Sequence, residues 1–311
     1  MKKLFILSIA IFSLSASVIF KPLEEVSNYN KDVVNLGKKL FFEKMLSKNN
    51  DISCNSCHHN YGADDKKFSI GDKKSIGFIN TPSLFNPTDK IAFFWNGRSE
   101  TLKEQIVDGP LFNTHEMASS KEIIEKRLNN SKEYLKLFKK VYGSKPTLEN
   151  TIDAIVQFEK TLVSTNSKFD KYLRGEVELT KKEKEGLELF KSYGCVSCHN
   201  GINIGGNSYQ KFGSIIDYTS QENESWEDRF EFTKDENDKD VYRVPSLRDV
   251  AKTAPYFHNG DAQTLQKAVY TMAFFNIGAL LKEKEIDAIV SFLNTLTGEL
   301  PKTYKKEDNN E

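Results

Sequence analysis

Two segments, Cys54-Asn-Ser-Cys57-His58 and Cys195-Val-Ser-Cys198-His199, use every cysteine of this 311-residue chain. At C-x-x-C-H spacing the two thiols can each close a thioether on one vinyl edge of a haem, while the adjacent histidine turns under the ring to ligate iron. A structural zinc site would need a second Cys or His pair about 12 to 20 residues on, and the span from Cys57 to Cys195 is far longer. A disulfide framework is disfavoured because neither pair leaves a spare cysteine and such close cysteines bridge poorly outside redox motifs. The chain therefore reads as a dihaem c-type cytochrome. Cys54, Cys57, Cys195 and Cys198 carry two covalent haems, and His58 and His199 are the proximal iron ligands.

With the proximal ligands set, the opposite face decides what each iron does. For the second haem the candidate sixth ligand is Met272, on a helix after His258-Asn259-Gly260, where a thioether raises the potential of a c-type haem. The alternative is a core methionine on an amphipathic helix. The first half has no methionine at that offset; the matching residue is Gly109, and the nearby loop brings His115-Glu116-Met117 instead. A carboxyl over a vacant iron position suits peroxide cleavage, which needs a base to take a proton from the near oxygen and return it to the far one. Glu116 is placed for that role, against the alternative of a solvated loop glutamate.

The elements around these residues recur. Gly37-x-x-Leu40-Phe41 before the first motif returns as Gly186-x-x-Leu189-Phe190 before the second, and Pro82-Ser83-Leu84 returns as Pro245-Ser246-Leu247. Trp95-Asn96-Gly97 with Thr101-Leu102 matches His258-Asn259-Gly260 with Thr264-Leu265. The closing run Ile152-Asp153-Ala154-Ile155-Val156 matches Ile286-Asp287-Ala288-Ile289-Val290. Such self-similarity implies two copies of one haem domain. Apolar residues at helical spacing, as in Ile286, Ile289, Val290 and Leu293, predict amphipathic closing helices. Helices are also expected over 31–46, 120–141, 180–192 and 263–274, and no long period-2 run appears. The expected fold class is all-α: two c-type cytochrome domains related by internal duplication, one covalently bound haem each. The N-terminal haem domain is expected over 21–165 and the C-terminal one over 175–302, with the seam between Ser164 and Glu178 and a polar tail over 303–311. The copies differ by an insertion containing Asp108 to Met117 and the 120–141 helix in the first, and by one containing the charged stretch Glu222 to Asp240 in the second.

Residues 1–20 begin Lys2-Lys3, continue with an apolar run broken by serines, and offer small residues for cleavage at Ser13 to Ser17, the layout of a secretory signal. The alternative is a retained anchor, since the run approaches the roughly 17-residue lower limit for a spanning helix. Either reading exports the rest, to the periplasm in a bacterium, as c-type haem attachment requires. Lys+Arg and Asp+Glu are both 44, so no global field points to nucleic acid, and any docking patch is local.

Taken together, several segments give the chain its resemblance to the bacterial dihaem cytochrome c peroxidase family: the two haem motifs, Phe94-Trp95-Asn96-Gly97-Arg98, Leu102-Lys103-Glu104-Gln105, Asn113 to Met117, and Thr253 to Gly260 with Met272. The resemblance runs from about residue 35 to 300. It implies a low-potential N-terminal haem where hydrogen peroxide reacts and a high-potential His/Met C-terminal haem fed by a small cytochrome c or cupredoxin. It also implies that Trp95 bridges the haems, that Gln105 and Glu116 are the distal glutamine and catalytic glutamate, and that a homodimer is possible. Asn80 and the carbonyls of Thr253 and Pro255 match the family's interhaem calcium site, a hard-oxygen set that nothing in the residues themselves marks. One departure stands out. Many members carry a capping histidine in the loop that here reads Ile70-Gly71-Asp72-Lys73-Lys74. Haem one is therefore expected to be open when oxidised, or else capped by His115 or His59. Two further readings are a dihaem electron carrier without peroxidase activity and a protein-modifying enzyme of the methylamine-utilisation type; the latter uses tyrosine where Met272 stands.

Overall fold

The structure is a computed structural model and describes residues 19–218 and 227–304. The expected signal segment up to residue 18, the start of the Glu222–Asp240 stretch and the tail from 305 onward lie outside the described residues. The helices are α1 Lys31–Phe41, α2 Cys54–Cys57, α3 Leu102–Ile106, α4 Lys121–Asn130, α5 Lys132–Tyr142, α6 Leu148–Glu159, α7 Lys168–Leu173, α8 Lys181–Ser192, α9 Arg229–Thr233, α10 Leu265–Thr271 and α11 Glu283–Asn294. The helical expectation holds with one addition, a short antiparallel pair of β1 Tyr209–Lys211 and β2 Val241–Arg243 that staples the base of the second insertion.

Three predicted helices end differently. The helix expected over 31–46 stops at Phe41, and a separate 3-10 turn, Lys44–Leu46, follows. The one expected over 120–141 is two, α4 and α5, because Ser131 takes an extended conformation and its hydroxyl caps the Tyr134 N–H. The one expected over 263–274 changes at Met272 into a π turn, Met272–Ile277. Such π turns are frequent at functional sites.

Each lobe is built on one close helix pair. In the first, α1 crosses α6 at Gly37, where a Cβ would overlap the Ala154 carbonyl; in the second, α8 crosses α11 at Gly186, where a Cβ would overlap the Ala288 carbonyl. Only glycine lets the backbones approach this closely. Around these crossings lie separate apolar cores: Leu36, Leu40, Ile124, Phe138 and Ile155 in the first lobe, Leu187, Phe190, Ile289, Phe292 and Leu296 in the second.

The first and last described residues cross over between the lobes. Phe20, expected at the end of the export signal, is buried in the second core with its ring edge-on to Phe169 at 5.4 Å. The Ile19 carbonyl accepts the Gly201 N–H at 2.8 Å, beside the second haem motif. At the other terminus Tyr304, expected in a polar tail, packs edge-on against Phe85 at 5.1 Å in the first lobe. Helix α7 falls within the expected seam, and its Phe169 belongs to the second core. The lobes are tied by a buried polar knot in which Asp249 accepts from Asn86, Ser164 and the Gly298 N–H.

Candidate functional site

Two clefts, enclosing about 1550 Å³ and 1370 Å³ of space open to solvent, are lined by the two motifs. In the first, α2 sets Cys54 and Cys57 three apart, one turn along the same helix face, with Ser53 and Ser56 boxing its N-terminus. His58 follows, and its Nδ1 lies 2.5 Å from the Gly62 carbonyl. A carbonyl only accepts, so Nδ1 donates and Nε2 keeps its lone pair for a metal. Burial lowers the imidazole to about 4, so it is neutral at pH 7. From the far end of the chain, the Tyr304 hydroxyl donates to the His58 carbonyl at 2.8 Å.

In the second cleft a 3-10 turn, Cys195–Ser197, presents Cys195, Cys198 and His199. Burial lowers His199 to about 4, with the Ile204 and Pro245 carbonyls pulling the other way. Its buried Nδ1 makes no well-formed hydrogen bond. All four thiols are free, and the pairs line different clefts, which rules out a single four-cysteine metal centre. Burial pushes Cys57 and Cys195 up to about 11, and Cys54 higher still, so these are thiols rather than thiolates. Paired thiols and a neutral imidazole on the wall of an apolar cleft, the His58 ring oriented by the Gly62 carbonyl, fit a covalently held haem in each.

The opposite walls differ. Met272 lines the second cleft with His199, at the junction of α10 and its π turn. In the first cleft α3 is likewise followed by a π turn, Val107–Leu111, but Gly109 stands there and a Cβ on it would run into the Phe94 ring. The first cleft is lined instead by Glu116, Gln105, Arg98 and Pro110. Glu116 is held through its backbone: Asp72 N–H donates to its carbonyl at 2.7 Å, and Ser75 Oγ donates to the His115 carbonyl at 2.7 Å. Asn113 Nδ2 donates to its carboxylate at 3.2 Å. The loop that lacks a histidine thus anchors the Glu116 segment. Burial raises the Glu116 carboxyl to about 7, Arg98 opposing and Glu227 adding to the rise.

Glu227 escaped sequence reasoning. It belongs to the second copy's insertion yet reaches the first cleft, where it pairs with Arg98 Nη1 at 2.7 Å. Arg98 in turn stacks on Phe94 at 3.5 Å. Nothing local in the sequence signals that contact. Lys90, Glu159 and Arg243 are also cleft residues the sequence did not single out. For Glu159 a signal existed, since the matching position in the second copy is Leu293.

Trp95 is buried and lines both clefts, with its indole N–H donating to the Asn80 carbonyl at 2.8 Å. His258 meets its ring edge-on at 6.3 Å and stacks on Tyr242 at 4.1 Å. His258 therefore sits in aromatic packing between the clefts. Of the two capping alternatives, His115 lines the first cleft, whereas exposed His59 lies 3.5 Å from Asp65 and is not part of the wall; that placement removes His59 as a cap. Of the residues expected to hold calcium, Asn80 is buried, its Nδ2 donating to the Lys66 and Lys67 carbonyls at 3.2 Å. Thr253 closes the 3-10 turn Val250–Lys252, and Pro255 follows in a cis Ala254–Pro255 peptide.

Among the described residues no helix is long and apolar enough to cross a membrane. Residues 31–178 match the family model described as di-haem cytochrome c peroxidase, and residues 183–297 match that for cytochrome c. The chain is 43% identical to a cytochrome c551 peroxidase of Nitrosomonas europaea over 95% of its length and 92% of the relative's. It is 38% identical to a cytochrome c551 peroxidase of Pseudomonas aeruginosa, over 92% and 86%. Among solved structures, the crystal structure of a MauG-like protein associated with microbial copper homeostasis superimposes with a TM-score of 0.80 at 25% identity, covering 92% of this chain and 96% of that one.

Proposed function

This chain belongs to the dihaem cytochrome c peroxidase family, and from that premise we propose a division of labour between its two clefts. It is a haem peroxidase, with hydrogen peroxide as substrate and a cytochrome as electron donor. The finer reading is that the two lobes are copies of one haem domain and that Cys54 with Cys57, and Cys195 with Cys198, each hold one haem covalently. When bound, the haems supply one iron that accepts electrons and one that reduces the peroxide bond.

The observation that carries this reading is the contrast between the two walls: a thioether, Met272, lines the second cleft, whereas the matched position of the first lobe is Gly109 and a carboxyl, Glu116, lines the first cleft. His199 and Met272 would hold the iron of the second haem, which would supply electron uptake. In the first cleft, Glu116 would take a proton from one peroxide oxygen and deliver it to the other, which would leave as water. Gln105 orients the peroxide from the same wall. Two electrons and two protons give two waters. Trp95, shared by both clefts, is the electron bridge. Peroxide turnover with a reduced donor, compared between wild type and Glu116→Gln, tests the assignment; unchanged turnover would remove Glu116 as the acid-base group, and no turnover in the wild type would leave an electron carrier.

The tie between the 70–75 loop and the His115-Glu116 backbone supports a first haem that is open when oxidised, because the catalytic segment is already docked. The calcium ion that the resemblance implies would take Asn80 and the carbonyls of Thr253 and Pro255; chelation followed by activity measurement tests it. Export to the periplasm, a cupredoxin as alternative donor and a homodimer belong to the same reading. A protein-modifying role of the methylamine-utilisation type is disfavoured by Met272.

A further inference from the structure

The seam between the clefts holds a cation with no carboxylate within ion-pair distance among the described residues. Arg243, the last residue of β2, is 5% exposed and lines both clefts. Its Nε donates to the Phe94 carbonyl at 3.2 Å, Nη1 reaches only the Val244 carbonyl at 3.5 Å, and Nη2 has no hydrogen-bond partner among the described residues. None of its ion pairs lies within 4 Å among those residues, in contrast to Arg248, whose guanidinium is 2.6 Å from Asp170. Burial lowers Arg243 only to about 10, so it is charged at neutral pH. A buried charge without a counter-charge is strongly unfavourable, and the missing anion is to be sought in the space the guanidinium faces.

Acidic residues do not fill that role. The second cleft is lined by Arg243 and Lys211 and by no aspartate or glutamate, and Lys211 is half exposed with Asp240 3.8 Å away. The first cleft has three acids, Glu116, Glu159 and Glu227, against Lys90, Arg98 and Arg243. Glu227 is taken by Arg98, Glu159 has Lys90 as its main electrostatic counterpart, and the charges that act on Glu116 are Arg98 and Glu227, which leaves Arg243 without an acid on that side as well. Guanidinium groups favour carboxylates through paired N–H donors. The carboxylates that a bound haem would bring into each cleft are its two propionates.

We propose that Arg243 is a shared carboxylate receptor at the seam, accepting a haem propionate from each cleft and so setting the potentials of both irons through one charge. The proposal rests on each cleft holding one haem. Its counterpart in the first lobe, Asn80, is neutral, so the seam holds one such cation and not two. Lys90 lines only the first cleft and acts there alone.

A positive charge near an iron favours its reduced form. Removing it, and leaving a carboxylate unpaired, lowers the potential. Spectroelectrochemical titration of the purified dihaem protein, with haem counted per chain in every sample, makes the test. Arg243→Gln should lower both potentials, Lys90→Gln only that of the haem at Cys54 to His58, and Arg243→Lys neither by much. A Gln variant that matures with fewer than two haems while Arg243→Lys retains both also supports a carboxylate receptor. The inference is overturned if Arg243→Gln keeps two haems and shifts one potential or none, if Arg243→Lys shifts as far as Arg243→Gln, or if neither variant keeps two haems. A wild-type count other than two overturns the one-haem-per-cleft reading instead.

Discussion

The backbone N–H of Arg243 donates to the carbonyl of Trp95 at 2.7 Å. The same bond is made in reverse across the seam, where the Asn80 N–H donates to the His258 carbonyl, also at 2.7 Å. Asn80 and Arg243 each stand two residues before a Pro-Ser-Leu, and Trp95 and His258 occupy matched places. The lobes therefore grip each other by exchanging equivalent hydrogen bonds, and each of those four residues lines one or both clefts. Replacing Trp95 by Phe keeps the backbone bond but removes the indole N–H to Asn80. We expect slower electron transfer between haems in stopped-flow, with both haems still bound.

The pH dependence of peroxide reduction follows from Glu116. Its carboxyl is raised to about 7, and the basic form takes the first proton, so kcat/KM should rise with pH through about 7. Glu227 contributes to the upward shift, so Glu227→Gln should move that limb to lower pH. Glu116→Gln should cut kcat by about 10²–10⁴ without altering the haem spectra. A limb that stays in place in Glu227→Gln would separate Glu227 from the catalytic carboxyl.

The helix crossings predict paired stability effects. An Ala at an exposed helix Gly gains about 1 kcal/mol in propensity, but at Gly37 and Gly186 the added methyl meets a carbonyl on the partner helix. We expect each variant to lose about 1–3 kcal/mol or more in denaturant titration. A stabilised Gly186→Ala would show that α8 and α11 can separate freely.

Asp170 and Arg248 form a fully buried ion pair at 2.6 Å. Asp170 also accepts the Leu23 N–H, and Arg248 donates to the Lys21 carbonyl, which fastens the N-terminal segment to the second lobe. Asp170→Asn leaves Arg248 unpaired and should cost about 3–5 kcal/mol. Because Phe20 is buried alongside, mass spectrometry of the exported protein should find Ile19 and Phe20 retained, with cleavage in the Ser13 to Ser17 region.

The oxidised protein should show a high-spin ferric signal from the haem facing Glu116 and a low-spin signal from the His199/Met272 haem. Met272→Ala should add a second high-spin species and lower the potential of that haem. A wild-type EPR spectrum lacking any high-spin ferric signal would assign a cap to the first haem, His115 being the candidate on its wall.

By itself the sequence determined whatever is local in the chain. The proposed haem-attachment cysteines and histidines are legible because thioether chemistry would impose a five-residue spacing, and the matched segments because recurring residues at equal offsets are visible in the sequence alone. The helices α1, α6, α8 and α11 follow from apolar period, whereas the break at Ser131 and the π turn at Met272 depended on capping and packing that periodicity does not encode. The tertiary structure alone decided what lies opposite each iron and between them. Glu227 reaches Arg98 in the first cleft from the other lobe, Phe20 and Tyr304 each pack in the opposite lobe, and Arg243 lines both clefts with no carboxylate within ion-pair distance among the described residues. Those relations join residues far apart in sequence, and burial, which sets their charges and partners, exists only once the lobes have packed.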